Sequence, residues 1–273
     1  MSSSNPSSLQ HLNIPQHLIE PLWLRSQESL TDGGLIYDPI AAKACFSCQL
    51  APQCLTGNLA QKQLLNAAIT QRCDRQVSQF LSSYPQAWII NIGAGLDTRF
   101  YRLDNGRCRW IELDITEHLL IRQKLFHPSE RYEQYCGQAD DLSWLPDLKI
   151  PDRTPVLIVC EMALLDFSAR QVAKFVRTLA GHFDQAHLCM VLAGDLTSSS
   201  LGEALGCERY GHGISQPAEY ALSLVSWAQW VRVFSPFDSP CSRWKYWHQW
   251  LVKLPSLKHR LTPVVVEMAW SSY

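Results

Sequence analysis

The stretch Ala87–Asp114, AWIINIGAGLDTRFYRLDNGRCRWIELD, constrains this chain more than any other part of it. It runs apolar strand, glycine turn, short helix, then a second apolar strand ending in acids. Trp88–Ile92 has the length and β-branched content of a strand buried in a parallel sheet. Gly93 and Gly95 let the backbone turn sharply and approach a ligand with no Cβ in the way. Asp114 follows about twenty residues later, at the tip of the next strand, where a carboxylate can accept hydrogen bonds from both hydroxyls of a ribose. Together these features describe a pocket for an adenosine-containing molecule.

Two classes of such molecule compete. A nicotinamide or flavin dinucleotide calls for a third glycine, which permits close helix–strand packing beside the pyrophosphate. Here that position is Thr98, and Asp97 puts a carboxylate in the first turn of the helix, where the pyrophosphate would sit. An acid there suits a ligand with a cationic end, and S-adenosylmethionine carries a sulfonium and an ammonium beside its adenosine. A lone G-x-G is as often an ordinary tight turn. The strand, turn, helix and strand-end acid in register make the signal more specific.

A chain of 273 residues with 47% hydrophobic content can bury the core of one enzyme-sized α/β domain. A net charge of −1 and a pI near 6.7 make no electrostatic case for nucleic acid or an anionic membrane as main partner. The start, MSSSNPSSLQ, has no basic region followed by an apolar run, and apolar stretches elsewhere are broken by Glu161, Asp166, Asp195 or Glu267. A cytoplasmic protein is expected. Most of the ten cysteines, Cys136, Cys160 and Cys189 among them, stand alone in apolar runs as small core residues. Cys45, Cys48 and Cys54 in CFSCQLAPQC form a C-x-x-C with a third thiol, but no second ligand pair accompanies them, and helix-packing thiols are expected rather than a metal or redox site.

The pattern predicts a single domain in four parts: an N-terminal helical segment over 1–84, a cofactor-binding core over 85–195, a substrate-side insertion over 196–263 and a final strand over 264–273. Gln61–Leu81 carries an amphipathic helical stripe. Strands are expected at Trp88–Ile92, Arg109–Asp114, Tyr132–Gln138, Val156–Glu161, Leu188–Gly194 and Val264–Trp270, the last antiparallel. Helices are expected at Thr98–Leu103, Thr116–Phe126 and Ala169–Phe183. Such alternation predicts a doubly wound, mostly parallel, seven-stranded sheet with helices on both faces. The insertion, rich in tryptophan (Trp227, Trp230, Trp244, Trp247, Trp250), reads as helices and loops whose aromatics either pack or wall a substrate pocket.

Four stretches resemble the leucine carboxyl methyltransferase family, in particular its bacterial small-molecule branch: RSQESLTDGGLIYDPIA, INIGAGLDTRFYRLDNG with WIELD, RYEQYCGQADDLSWL, and PVLIVCEMALLDF. They span roughly residues 25–185 in the family's order and spacing. The resemblance implies a class I S-adenosylmethionine-dependent methyltransferase fold. It implies that Gly93, Ala94 and Gly95 line the methionine end, that Asp97 and Arg99 shape the turn, and that Asp114 takes the ribose. It places Gln138 and Ala139 at the adenine, with Asp141 behind, Glu161 beside cofactor and acceptor, and Arg25 at the cofactor's carboxylate. Glu112 would face inward only if its strand twists.

The chain also departs from the family. Ile69 stands where the family has an arginine for the cofactor carboxylate, with Gln71 and Arg72 close by and Arg72 able to substitute on a slight rotation of the helix, and Glu161-Met162-Ala163-Leu164-Leu165-Asp166 lacks the family's glycine and tyrosine. O-methylation of a small metabolite, at a carboxylate or a hydroxyl of a polyketide-like molecule, is the leading expectation. Carboxyl methylation of a protein C-terminus and a decayed, non-catalytic cofactor-binding relative are the alternatives. A carboxylate acceptor needs no general base, whereas a hydroxyl benefits from one. Glu161, Asp166 and His212 are the candidates, and no dyad in the sequence singles one out.

Overall fold

The computed structural model describes residues 14–50, 58–245, 248–251 and 253–271. Three helices come first: α1 (Gln16–Ser29), α2 (Pro39–Ser47) and α3 (Leu59–Ser83). Asp38 caps α2 by accepting the Ala41 N–H at 2.9 Å, and Asn58 caps α3 through the Gln61 N–H at 3.3 Å. The alternating part then runs β1 (Trp88–Ile92), α4 (Arg99–Leu103), β2 (Arg109–Asp114), α5 (Thr116–Leu125), β3 (Tyr132–Cys136), β4 (Val156–Cys160), α6 (Ala169–His182) and β5 (Gln185–Leu192). Short helices α7 (Ser200–Ala204) and α8 (Pro217–Leu224) lead to β6 (Ala228–Phe234). Then α9 (His248–Leu251) and α10 (Pro255–Leu261) precede β7 (Val264–Ser271).

The seven strands are ordered β3-β2-β1-β4-β5-β7-β6. The five from β3 to β5 are mutually parallel, and β7 runs antiparallel to both of its neighbours. Chain order therefore grows outward in both directions from the β1–β4 pair, which makes that junction the switch point where an open α/β sheet holds its ligand. The insertion departs from expectation. It contributes a strand, β6, besides helices and loops. AQWVRVF has β-branched residues at alternate positions but only half-buried ones, because β6 is the sheet edge and pairs with β7 alone.

Both faces of the sheet are covered. On one, α3 and the insertion pack Leu65, Ile69, Cys73 and Val77 against Leu157, Val159, Cys189 and Val191. On the other, the strongly amphipathic α6 lays Val172, Phe175, Val176 and Leu179 on Ile158, Leu188 and Met190. A satellite core joins α1 and α2 through Leu18, Leu22, Ala41, Cys45 and Cys48. Cys45 and Cys48 are free buried thiols whose pKa burial pushes up, the behaviour of packing residues. Cys54 lies outside the described residues. Among the described residues no group of three His, Cys, Asp or Glu side chains is placed to hold a metal ion. None of their helices is long and apolar enough to cross a membrane.

Candidate active site

The carboxyl ends of β1, β2 and β4 meet at one cavity of about 730 Å³, within the roughly 300–1,000 Å³ usual for small-molecule sites. After β1 the chain turns through Gly93 and Gly95, both at positive φ (+67° and +47°). A Cβ on Gly93 would collide with the Cβ of Ala163, so glycine is required there by space as well as by backbone conformation. The turn is pinned to β2: Gly93 and Ala94 N–H donate to the Leu113 carbonyl at 2.8 and 3.2 Å, and Gly95 N–H donates to Asp114 Oδ2 at 2.6 Å.

A buried ionic network holds the turn from behind. Arg122, fully buried on α5, donates to the Gly95 and Asp97 carbonyls at 2.9 and 2.6 Å and pairs with Glu112 at 3.0 Å. Arg99, also fully buried, pairs with Asp74, Asp97 and Glu161. Arg102 takes Asp74 in a two-pronged contact at 3.0 Å and reaches Asp38 at 2.9 Å. Asn91 bridges Asp97 and Glu112 at 3.0 and 2.8 Å. Burial alone would raise the Asp97 carboxyl, but Arg99, helped by Arg25, Arg102 and Arg122, holds it well below the usual carboxylate range. Glu112 goes the other way. Burial drives it up to about 7 against the pull of Arg122. Asp97 faces four guanidinium groups, whereas at Glu112 burial and the charge of Asp97 outweigh Arg122 and Arg99.

The expected site residues fall into two groups. Gly93, Ala94, Gly95, Asp97, Asp114, Glu161, Asp166 and Arg25 all line the cavity. Gln138 and Ala139 do not. β3 ends at Cys136, earlier than expected, Gln138 is exposed, and its carbonyl accepts the Trp144 indole N–H at 2.9 Å. Arg25 sits in the wall but directs Nε to Asp38 (3.1 Å) and Nη2 to the Leu96 carbonyl (2.8 Å), so two of its donors tie the N-terminal segment to the glycine turn. Glu161 accepts from Thr70 at 2.6 Å and pairs with Arg99. Asp166, exposed at the mouth, has a side chain with no hydrogen-bond or ion-pair partner among the described residues.

Three open readings are decided by the geometry. His212 is no base. Its Nε2 accepts the Ala193 N–H at 3.0 Å and its Nδ1 meets the Phe167 carbonyl at 2.7 Å, so the backbone uses both nitrogens. Arg72 does not stand in for the arginine missing at Ile69; it pairs with Glu267 at 2.6 Å in the core, its guanidinium 3.3 Å from the centre of the Phe234 ring. None of the described tryptophans of the insertion walls the cavity. Gly206, Glu208, Arg209, Tyr210 and Pro263 do, while Trp244 packs edge-on against Phe237, Trp230 lies on β6, and Trp227 and Trp250 are exposed. Trp247 lies outside the described residues.

Several wall residues escaped the sequence reading: His17, Glu20, Lys62, Asn66, His118 and Arg209. Lys62 pairs with Glu20 at 3.4 Å and with Glu208. For Lys62 and Asn66 the only sequence signal is polarity on the inward stripe of a helix: they share the α3 face that bears Ile69. Counted over the wall, Glu20, Asp97, Asp114, Glu161, Asp166 and Glu208 face Arg25, Lys62 and Arg209, six acids against three bases. Asn66 Oδ1 is buried there without a hydrogen-bond partner. An acidic wall with an unsatisfied acceptor fits a ligand bearing a sulfonium and an ammonium group. A pyrophosphate would face the persistent charge of Asp97.

No protein-family model matches the chain. Over 190 residues, 64% of this chain and 68% of the relative, it is 25% identical to the tetracenomycin polyketide synthesis O-methyltransferase TcmP of Streptomyces glaucescens. Over 113 residues, 38% of each chain, it is 32% identical to the S-adenosyl-L-methionine-dependent methyltransferase dpfgK of Gibberella zeae. Among solved structures, a putative methyltransferase from Thermobifida fusca superposes with a TM-score of 0.59 at 14% identity, covering 99% of this chain and 100% of the other. A DUF574 family protein from Streptomyces avermitilis gives 0.59 at 12% identity over 93% and 97%. The chain thus has the class I methyltransferase fold, and its sequence is similar to that of the tetracenomycin O-methyltransferase.

Proposed function

We propose that the cavity binds S-adenosylmethionine and that the enzyme methylates an oxygen of a small metabolite, as the name of its Streptomyces glaucescens relative suggests. One observation carries the reading: three strand ends at the switch point bring the Gly93–Asp97 turn, Asp114 and Glu161 around a single acidic cavity. The cofactor supplies a methyl group already activated by its sulfonium. The protein's task is therefore alignment and exclusion of water rather than bond polarisation.

In this reading Asp114 receives the ribose, the Gly93–Gly95 turn lets backbone approach the methionine chain, and Asn66 Oδ1 accepts from its ammonium. Arg25 and Lys62 are the cations that line the wall along α1 and α3, and they answer its carboxylate in place of the arginine absent at Ile69. Glu161, tied to Thr70 and Arg99, keeps negative charge near the sulfonium and is poorly placed to take a proton. Asp166 is the free carboxylate at the mouth and serves as base when the acceptor is a hydroxyl; a carboxylate acceptor needs none.

Calorimetric titration with S-adenosylhomocysteine tests the cofactor assignment. Asp114→Ala is expected to lower affinity by about 10- to 100-fold, the value of a hydrogen bond to a charged group. A wild-type protein that is folded and ignores this nucleoside would refute the reading. Binding without transfer of labelled methyl to any phenol or carboxylic acid tried would favour the non-catalytic alternative, which Ile69 and Asp166 motivate.

A further inference from the structure

The carboxylate of Asp114 is already largely occupied. Gly95 N–H donates to Oδ2 at 2.6 Å, and Ile115 N–H and the His118 ring nitrogen Nδ1 each lie 2.8 Å from Oδ1. A carboxylate offers about four acceptor positions, so about one remains, on Oδ2. A ribose presents two neighbouring hydroxyls. The second needs an acceptor from elsewhere.

The hydrogen-bond chain around His118 identifies one. His118 Nδ1 faces an oxygen that can only accept, so Nδ1 carries a proton, and in the tautomer protonated there alone Nε2 keeps a lone pair. His17 Nε2 lies 3.1 Å from that atom, with the rings 5.1 Å apart centre to centre. In that tautomer His17 Nε2 is the donor, which leaves Nδ1 of His17 as an unprotonated acceptor. Both rings line the cavity together with Asp114. The charged or titratable groups facing His17 are His118 from α5, Asp114 at the tip of β2 and Asp166 after β4. Burial pushes the His17 ring toward its neutral form, against the two acids.

We propose that His17 and Asp114 share the ribose of the bound nucleoside, one hydroxyl donating to Asp114 Oδ2 and the other to Nδ1 of His17. The proposal rests on the cofactor reading above and deepens it. The first turn of α1 becomes part of the nucleoside site, and His118 is the positioning residue that sets the tautomer of His17.

The test is calorimetry at pH 7.5 with S-adenosylhomocysteine, 5′-methylthioadenosine and the 2′-deoxy and 3′-deoxy forms of the latter. Wild-type protein is expected to bind each deoxy form about tenfold more weakly than 5′-methylthioadenosine. His17→Phe is expected to bind 5′-methylthioadenosine about tenfold more weakly than wild type, yet to bind one of the two deoxy forms as wild type does. His17→Asn, whose amide oxygen takes the place of Nδ1, is expected to recover most of the loss. Equal losses for all three thioadenosines in His17→Phe, or no loss at all, would overturn the shared-ribose arrangement while leaving the cofactor assignment intact. Failure of the wild type to bind S-adenosylhomocysteine would remove both.

Discussion

Glu112 is expected to make the stability of this protein fall as pH rises through neutrality. It lies fully buried in β2 between Asn91 and Arg122, and burial lifts its pKa from 4.5 to about 7. Because the folded value exceeds the unfolded one, the native state binds more protons between the two. Stability from this group is complete below about 4.5 and is lost as pH rises through about 7. Integrating the linkage between pH 5 and pH 8 gives a loss of about 2.5 kcal/mol, worth roughly 5–10 °C in Tm for a chain of this size. Glu112→Gln cannot ionise and is expected to lack this component, so its pH slope should be flatter than wild type by that amount. Urea denaturation at pH 5, 6, 7 and 8 on both proteins measures it. The difference of slopes is the readout, because at any single pH the substitution also weakens the contact with Arg122. Parallel pH profiles for the two proteins would refute the assignment of a neutral carboxyl at the heart of the β1–β2 interface.

Three further outcomes follow from the same geometry. Gly93→Ala is expected to cost about 1–3 kcal/mol of stability, from positive φ and the collision with Ala163, and to abolish S-adenosylhomocysteine binding in calorimetry. Arg99→Met leaves Asp74, Asp97 and Glu161 facing one another without their shared cation; a loss of about 3–5 kcal/mol in chemical denaturation is expected. Asp166→Asn is expected to leave S-adenosylhomocysteine affinity within about twofold, and to slow methylation of a hydroxyl acceptor by roughly 10²-fold or more while sparing a carboxylate acceptor. Product formation from labelled cofactor separates these two cases.

Much of the fold is legible before any coordinates are seen. The runs Trp88–Ile92 and Arg109–Asp114 become strands at those same residues, because continuous β-branched and aromatic runs bounded by turn residues leave a parallel strand as the economical way to bury both faces. Helices α5 and α6 end within one residue of expectation for a related reason: their apolar stripes stop where the chain must return to the sheet. The strand at Ala228–Phe234 was hidden because an edge strand, covered on one side only, lacks the apolar run that marks its buried neighbours.

The site divides along the same line. Local sequence determined which groups reach the switch point: two glycines that must turn, and acids that end strands β2 and β4. It could not reveal which partners those groups meet, since His17, Lys62, Arg122 and Tyr210 come from elements far apart in the chain and carry no local mark. Nor could it separate the histidine held by two backbone groups, His212, from His17, whose Nδ1 has no hydrogen-bond partner among the described residues. Spacing along a chain specifies what a backbone can form. Only packing decides which buried charges are paired, which stay ionised and which acceptor is left open to a ligand.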